Sequence, residues 1–486
     1  MAGCLALDFG ASSIRLIGVS LADGRFALRE LARFANGPQL VSGQLVWAYE
    51  GIFAKIEAAL GNAGASGERY DSIGADSWGV DYVLLDAAGN LIGAPVAYRD
   101  ARTEGEVERY LAGSMSAHDL FAATGLPCLP FNTLFQLSAQ TRIEPSVLAR
   151  ARRLLFTADY VHFWLSGVAA NERTLASTSQ MLTLDGRWWP AVLETLALSP
   201  SALSKPVAPG TILGPLRPEL MTRSGLRDVE VIAPASHDTE SAIAAIPAFA
   251  DHEWAYISCG TWSIIGVESD VPSCGTSAES AGLGNESGVD GTYCVQSTVT
   301  GLWIVQEIQR LLDERSDGGT LMEQARHIPA FRSLINPADP RFFNPPDMIA
   351  EIRAACRETR ELPPETPAEL VRCAYDSLAL LYHTTLTKLT KVTGRCFERL
   401  HMVGGGSKAS LLNQLCAGAT GLPVLAGPAE ATAIGNALVQ FVAKGEVESI
   451  ARGRRLIRDS FPPVIAEPSP LPGLEDAVAR FDRLTG

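Results

Sequence analysis

The chain of 486 residues carries 40 basic and 54 acidic side chains, a net charge of −14, and is 47 % hydrophobic and 19 % charged. This composition is globular, and the length allows two or three domains. The acidic balance argues against a ligand that needs a broad basic face, such as nucleic acid or an anionic membrane. The opening MAGCLALDFG lacks a basic start and soon meets Asp8, so no secretory leader is expected. The uncharged stretches 120–141 and 409–429 are broken by Pro127, Pro130, Gln136, Asn413 and Pro423, too often for a membrane span. Nine cysteines form no C-x-x-C pair and none of the seven histidines falls in a ligand cluster by spacing. Reduced cytoplasmic thiols and no structural zinc are therefore expected, and Cys356 and Cys373 could pair only if a helical hairpin joined them.

Residues 4–8 read as an apolar strand, followed by Gly10, Ser12 and Ser13 and a second strand over 14–19. Asp23-Gly24 predicts a tight turn into a third strand over 25–34. Apolar spacing at Ile52, Ile56, Ala59 and Leu60 predicts a helix. A short strand over 72–76 runs into Trp78-Gly79-Val80-Asp81, and another follows over 82–85. This pattern is a mixed sheet of hairpins and crossovers rather than a strict parallel repeat. The stretch 104–227 reads mainly as helices and loops, with a strand over 154–156. A strand over 229–232 leads to His237-Asp238-Thr239 and an alanine-rich helix from Glu240.

A second unit begins near Trp254. A strand over 255–258, Gly260-Thr261 and a strand over 263–268 repeat the opening order of strand, glycine, small polar residues and a strand ending Ile-Gly-Val. Gly10 and Gly260 thus hold equivalent places, as one sheet unit used twice would require. A strand over 399–403, a Gly404-Gly405-Gly406 turn, a helix over 407–420 with Ser407 as N-cap and Gly421 after its end, a strand over 423–425 and a helix over 431–444 complete the reading.

Four features can carry chemistry. Asp8 at a strand end, with Gly10, Ser12, Ser13 and Arg15, can surround a phosphate through turn N–H groups, hydroxyls and a guanidinium, with Asp8 holding Mg²⁺ through water. An ordinary polar hairpin tip reads the same way. Gly404-Gly405-Gly406-Ser407 lets a ligand approach the backbone, or is simply a tight connection, and it matches neither GxxxxGK[ST] nor GxGxxG. Asp238 at a strand-to-helix junction can accept a proton from an alcohol or can cap the helix. Asp76, Trp78 and Asp81 offer a polyol a stacking and hydrogen-bonding surface, or form a core tryptophan beside an acid.

Taken together, ALDFGASSIR, DSWGVDYVLLD, AYRDART, LPFNTLFQL, ASHDTESA, YISCGTWSIIGVE, TGLWIVQ and MVGGGSKASLLNQLCAGATGLPV resemble, in order, the blocks of FGGY-family sugar kinases, above all its L-rhamnulose-specific branch, over about residues 4–445. The resemblance implies an α/β fold of two ribonuclease-H-like domains, as in actin and the heat-shock ATPases, with an active-site cleft between them. The first, 1–246, would bind sugar and phosphate, and the second, 247–486, the nucleotide. It implies that Ala11, Ser12, Ser13, Ile14 and Arg15 cradle ATP phosphates, that Thr261, Gln306 and Gly405 contact the nucleotide, and that Trp78, Gly79, His237, Asp238, Thr239 and Thr298 meet the sugar. Asp238 would be the general base, and ATP with Mg²⁺ the cosubstrate and metal. The implied reaction is phosphorylation of a ketose at its primary O1 hydroxyl, L-rhamnulose first, with L-fuculose or another ketose or polyol as alternatives. A non-catalytic sugar-binding regulator on the same fold is the reading from another class. Small-molecule sugar and ATP are the expected partners of a cytoplasmic monomer or homodimer, with no nucleic acid or membrane. Four residues depart from the family pattern: Ile14 replaces a glycine, Glu240 replaces a small residue, Thr298 replaces an asparagine that contacts sugar, and Thr300 replaces a methionine before Gly301.

Overall fold

Tight-turn chemistry at the start of the chain builds an antiparallel meander from Ala2–Phe9 (β1), Ser13–Ala22 (β2) and Arg25–Ala35 (β3). Asp23 and Gly24 turn β2 into β3 with φ of 50° and 73°, the left-handed pair that such a hairpin requires. The computed structural model describes residues 2–248, 252–312 and 318–485. These fall into two units. The first comprises residues 1–247, 268–295 and 431–460, and the second 248–267, 296–430 and 461–486.

In the first unit, the strand Ser72–Ser77 lies parallel to β1 and sets Asp8 directly opposite Asp76. Glu230–Ala233 continues in parallel beside it, and Thr211–Pro215 closes that edge antiparallel. β1 is apolar along almost its whole length because both of its faces are covered. The helix Tyr49–Ala65 buries Ile52, Ile56, Ala59 and Leu60, the stripe its spacing predicts. The helix Ala431–Ala443 is buried on nearly every side and packs on β1, on Ser72–Ser77 and on the helix Asp238–Ala244.

The second unit repeats the central arrangement. Trp254–Cys259 and Trp262–Ser269 form the antiparallel hairpin, and Arg399–Val403 lies parallel to the first of them. Val424–Ala426 adds in parallel and Val464–Ala466 antiparallel. Each unit therefore centres on a hairpin whose first strand takes a parallel neighbour on its other side, as the sequence repeat at Gly10 and Gly260 predicts. The longest helix, Pro367–Thr393, starts with a capping box between Thr366 and Glu369 and stops at Gly394, φ 68°.

Two local expectations are corrected. The helix expected over 407–420 begins only at Ser410, after a 3₁₀ turn over Gly405–Lys408, and Ser407 is not its cap. Gly404 turns the chain at φ 76°, and Ser407 Oγ donates back to the Gly404 carbonyl at 2.7 Å, which uses the hydroxyl before the helix starts. Cys356 and Cys373, on the helices Met348–Glu358 and Pro367–Thr393, are free thiols. No described helix is long and apolar enough to cross a membrane.

Gly435 lets the helices Ala431–Ala443 and Asp238–Ala244 touch backbone to backbone, because a Cβ there would overlap the Ser241 carbonyl oxygen outright. Gly435→Ala should therefore displace the helix that carries Asp238. The expected loss is about 1–3 kcal/mol of unfolding free energy in denaturant titration, accompanied by reduced turnover.

Candidate active site

The tip of the first hairpin is shaped by its backbone. Gly10 N–H donates to the Ser13 carbonyl at 3.1 Å, and a Cβ on Gly10 would come within 2.7 Å of that oxygen. Asn36 braces the tip, its side chain donating to Gly10 O at 2.9 Å and its backbone N–H to Ser12 O at 3.0 Å. Ala11 and Ser12 form the bend and Ser12 is exposed. Ser13 keeps a buried hydroxyl without a hydrogen-bond partner. Arg15 forms an ion pair with Asp8. Ile14, by contrast, is fully buried opposite Phe9, with Phe34 on its other side, so its side chain belongs to the core.

Asp76, beside Asp8, is fully buried. Its Oδ2 accepts from Asn436 Nδ2 at 2.6 Å, while its Oδ1 has no hydrogen-bond partner. Burial, then the neighbouring Asp8 carboxylate, pushes the Asp76 carboxyl well above the usual range, and Asp238 adds to the push. Two facing carboxylates, one with a free buried oxygen, form a hard-oxygen donor set of the kind Mg²⁺ takes. The residues present thus fit the metal expected at Asp8, with Asp76 as the partner that spacing alone did not reveal.

Trp78 packs on Trp47, ring centroids 4.4 Å apart, and on Phe9 at 5.6 Å. Both indole N–H groups donate to Asp81 Oδ2, at 2.7 Å from Trp47 and 3.0 Å from Trp78. Trp78 is thus 8 % exposed with its polar atom already used. It supports the loop and has little ring surface left to offer a ligand. Gly79 abuts Thr178, whose methyl a Cβ would approach to 2.9 Å. The next residue, Val80, has φ 69°, an unusual conformation for a β-branched side chain. It is held by three hydrogen bonds, from its N–H to Thr178 Oγ1 at 3.1 Å and to its carbonyl from Thr133 Oγ1 at 2.7 Å and Gln136 Nε2 at 3.1 Å.

The strand Ser72–Ser77 reaches the His237-Asp238-Thr239 junction through Ser77 N–H, which donates to Ser236 O at 2.8 Å. His237 is the N-cap of the helix Asp238–Ala244, and its N–H donates to Thr174 Oγ1 at 3.0 Å. Asp238 opens that helix with its side chain 33 % exposed, and Thr239 Oγ1 donates to it at 3.4 Å. His237 Nδ1 lies 2.5 Å from Glu240 Oε2 and 2.9 Å from Glu286 Oε2, while Nε2 stands 3.6 Å from Asp238 Oδ1. One histidine therefore does sit in a cluster of possible ligands, contrary to the reading from spacing. Only the His237–Glu240 half was visible locally. Glu286 arrives from the strand Gly284–Ser287, fixed by Asn285 side-chain donation to Gly125 O at 3.1 Å and by Ser287 N–H donation to Ser177 Oγ at 3.0 Å.

In the second unit, Thr261 sits at the hairpin tip and its hydroxyl donates to Gln306 Oε1 at 3.4 Å, so these two expected nucleotide residues do meet. Gly301 and Leu302 close over the tip, Leu302 N–H donating to Gly260 O at 2.8 Å. Gly405 follows the left-handed turn at Gly404, 3.8 Å by its would-be Cβ from the Cys259 carbonyl at the end of the same hairpin. Thr298 is exposed on the strand Tyr293–Thr300.

Residues 4–245 match the N-terminal domain of the FGGY family of carbohydrate kinases, and residues 255–444 match its C-terminal domain. The chain belongs to the FGGY family of carbohydrate kinases. This FGGY kinase is 42 % identical over 463 residues to a rhamnulokinase of Yersinia pestis (strain Pestoides F), covering 94 % of this chain and 93 % of that one. It is 40 % identical over 471 residues to a rhamnulokinase of Enterococcus faecalis, covering 96 % and 94 %. Its fold is that of a ligand-bound xylulose kinase from Lactobacillus acidophilus, TM-score 0.80 at 17 % identity, over 100 % of this chain and 96 % of that one. Plasmodium falciparum glycerol kinase with ADP matches equally, TM-score 0.80 at 13 % identity, over 100 % and 98 %. An ATP:sugar phosphotransferase activity and an α/β fold of two domains follow from the family.

Asp81 tests the support beneath this FGGY kinase's sugar-side loop. Burial pushes its carboxyl up to about 6 despite the two indole donors. An acid whose folded pKa is raised contributes stability that is complete below its unfolded value and is lost as pH rises through the folded one. Asp81→Asn removes this titration. Between pH 4 and 7 the stability of wild type should therefore fall relative to the variant by roughly 3 kcal/mol, read from denaturant midpoints at each pH.

Proposed function

We propose that this FGGY kinase transfers the γ-phosphoryl group of ATP to the O1 hydroxyl of a ketose, with L-rhamnulose the first candidate. The observation that carries the reading is Asp238. It is a partly exposed carboxylate at a helix start, beside a histidine and a buried acid pair, in a chain whose curated relatives are rhamnulokinases. Phosphoryl transfer asks the protein mainly for positioning and charge stabilisation. Asp238 takes the proton from O1 as that oxygen attacks phosphorus. His237, Thr239 and the backbone at Gly79 hold the remaining hydroxyls. The backbone N–H groups of residues 11–14, the hydroxyls of Ser12 and Ser13 and the Arg15 guanidinium donate to phosphate oxygens, and Thr261, Gln306 and Gly405 take the nucleotide. Asp8 and Asp76 would hold Mg²⁺ through water, and the bound ion would neutralise phosphate charge. In this reading residues 1–246 serve sugar and phosphate and 247–486 the nucleotide, and the cytoplasm, which supplies ATP, is the compartment.

The test is ADP release over a panel of ketoses, aldoses and polyols. Turnover confined to aldoses would overturn the O1 assignment. Asp238→Asn should lower kcat by roughly 10²–10⁴-fold with sugar binding retained, as for a lost general base. Unchanged turnover would remove Asp238 from that role. Thr298 offers one hydroxyl where an amide offers two donors and an acceptor. Thr298→Asn should therefore raise kcat/KM for L-rhamnulose over L-fuculose by up to about tenfold, the worth of one hydrogen bond.

A further inference from the structure

His237 is gripped on one ring edge by two carboxylates from different parts of the first unit. Glu240 is one helical turn further along its own helix, and Glu286 comes from the strand Gly284–Ser287. A glutamate at this helical position ordinarily reaches back to the N-cap backbone. Here its carboxylate goes to the N-cap side chain instead. Glu240 is 1 % exposed, and it stands where the family pattern has a small residue.

Two arrangements could justify burying these acids around an imidazole: a metal ion or a shared proton. Ligand atoms about 2.1 Å from a metal stand roughly 3.0–3.4 Å apart in octahedral or tetrahedral geometry. Nδ1 lies closer than that to both carboxylates, 2.5 Å from Glu240 Oε2 and 2.9 Å from Glu286 Oε2, in ion-pair contacts whose three atoms make no hydrogen bond. The charges favour a protonated ring. Burial alone would lower the His237 pKa, but Glu240 and then Glu286 outweigh it and hold the ring well above its ordinary value. Burial pushes the Glu240 carboxyl up to about 7. Asp238 stands beside Nε2 on its own helix, and Glu172 accepts from the N–H of the preceding Ser236 at 3.1 Å. The charges that favour a protonated imidazole are Glu240 and Glu286.

We infer that Glu240 is a positioning residue. With Glu286 it fixes His237 Nδ1, turns the Nε2 edge toward Asp238, and makes His237 a permanent hydrogen-bond donor to the sugar. This inference rests on the sugar-site reading above. The 3.6 Å from Nε2 to Asp238 Oδ1 leaves that N–H unspent in the free protein. A neutral imidazole can either donate or accept at Nε2, whereas the gripped ring only donates. The sugar atom it meets must then be an acceptor, either a carbonyl oxygen or a hydroxyl oxygen whose own proton is used elsewhere. Glu240 thereby narrows which ketoses and which of their orientations fit.

The test has two arms. The first follows the His237 ring nitrogens by NMR on ¹⁵N-histidine protein without ligands. Wild type should keep the cationic ring to pH 8, and Glu240→Gln should shift its titration toward the ordinary value near 6.5. A wild-type ring that titrates near 6.5, or one equivalent of zinc or manganese in the purified protein that is lost in Glu240→Gln, overturns the inference. The second arm uses the best ketose of the panel. Glu240→Ala should raise KM about tenfold while kcat falls no more than about threefold, and should add a limb to the pH profile of kcat/KM near the histidine's ordinary pKa. Glu240→Gln keeps an acceptor for Nδ1, so it should recover most of KM but retain that limb. An unmoved KM and pH profile in both folded variants overturns the inference. Absence of turnover on every sugar by wild type would instead overturn the proposed function, with the NMR arm still deciding whether Glu240 grips His237.

Discussion

Asp76 cannot be solvated, and much of the first unit is arranged around that fact. A fully buried carboxylate beside a second one costs several kcal/mol unless donors reach it. The donors come through a continuous polar chain across the sheet. Asn436 Nδ2 donates to Asp76 Oδ2, Gln440 Nε2 donates to Asn436 Oδ1 at 2.7 Å and to Leu5 O at 3.0 Å, and Ser72 Oγ donates to Gln440 Oε1 at 2.7 Å. Apart from Asp76 Oδ1, each member is held by the next, so the chain fixes the angle at which the helix Ala431–Ala443 lies on the sheet. That helix, through Gly435, fixes in turn the helix that begins with Asp238.

The loop between Ser77 and Tyr82 shows the same logic at closer range. Val80 occupies a backbone region that costs on the order of 1–3 kcal/mol. Its three hydrogen bonds to Thr178, Thr133 and Gln136 over-determine it. The Trp47–Asp81–Trp78 contact fills the space beneath. The rigidity of the loop thus comes from buried groups on several distant segments rather than from its own sequence.

The legible parts of the sequence are those where neighbours in the chain decide the outcome. Asp23-Gly24 makes its turn by residue type, β1 and the helix Tyr49–Ala65 declare their burial by pattern, and the glycines at 10 and 260 mark two equivalent hairpin tips. Ser407 misled because a hydroxyl three residues after Gly404 can bond back to it as well as cap a helix. Ile14 lies in a motif that reads as phosphate-binding, yet strand alternation sends its side chain to the core. Asp76 and Glu286 needed the fold. Asn436 is 360 positions from Asp76, and Glu286 meets His237 only because the strand Gly284–Ser287 joins the first unit. The family blocks carried the expected site residues as a set, but they could not show that Glu240, an exception to the pattern, closes around a histidine.

The first unit is built from residues 1–247, 268–295 and 431–460. A ribosome delivers these pieces in order, with most of the second unit between the last two. When β1 and Ser72–Ser77 emerge, Gln440 and Asn436 do not yet exist, and the Leu5 carbonyl, Ser72 and Asp76 have no donors or acceptors across the sheet. The N-terminal half must therefore wait in an incomplete state until some 460 residues have been made. At about 5–20 residues per second this wait lasts tens of seconds. During it the nascent chain exposes the apolar sheet face that the helix Ala431–Ala443 will cover, the kind of transient surface that aggregates unless a chaperone shields it.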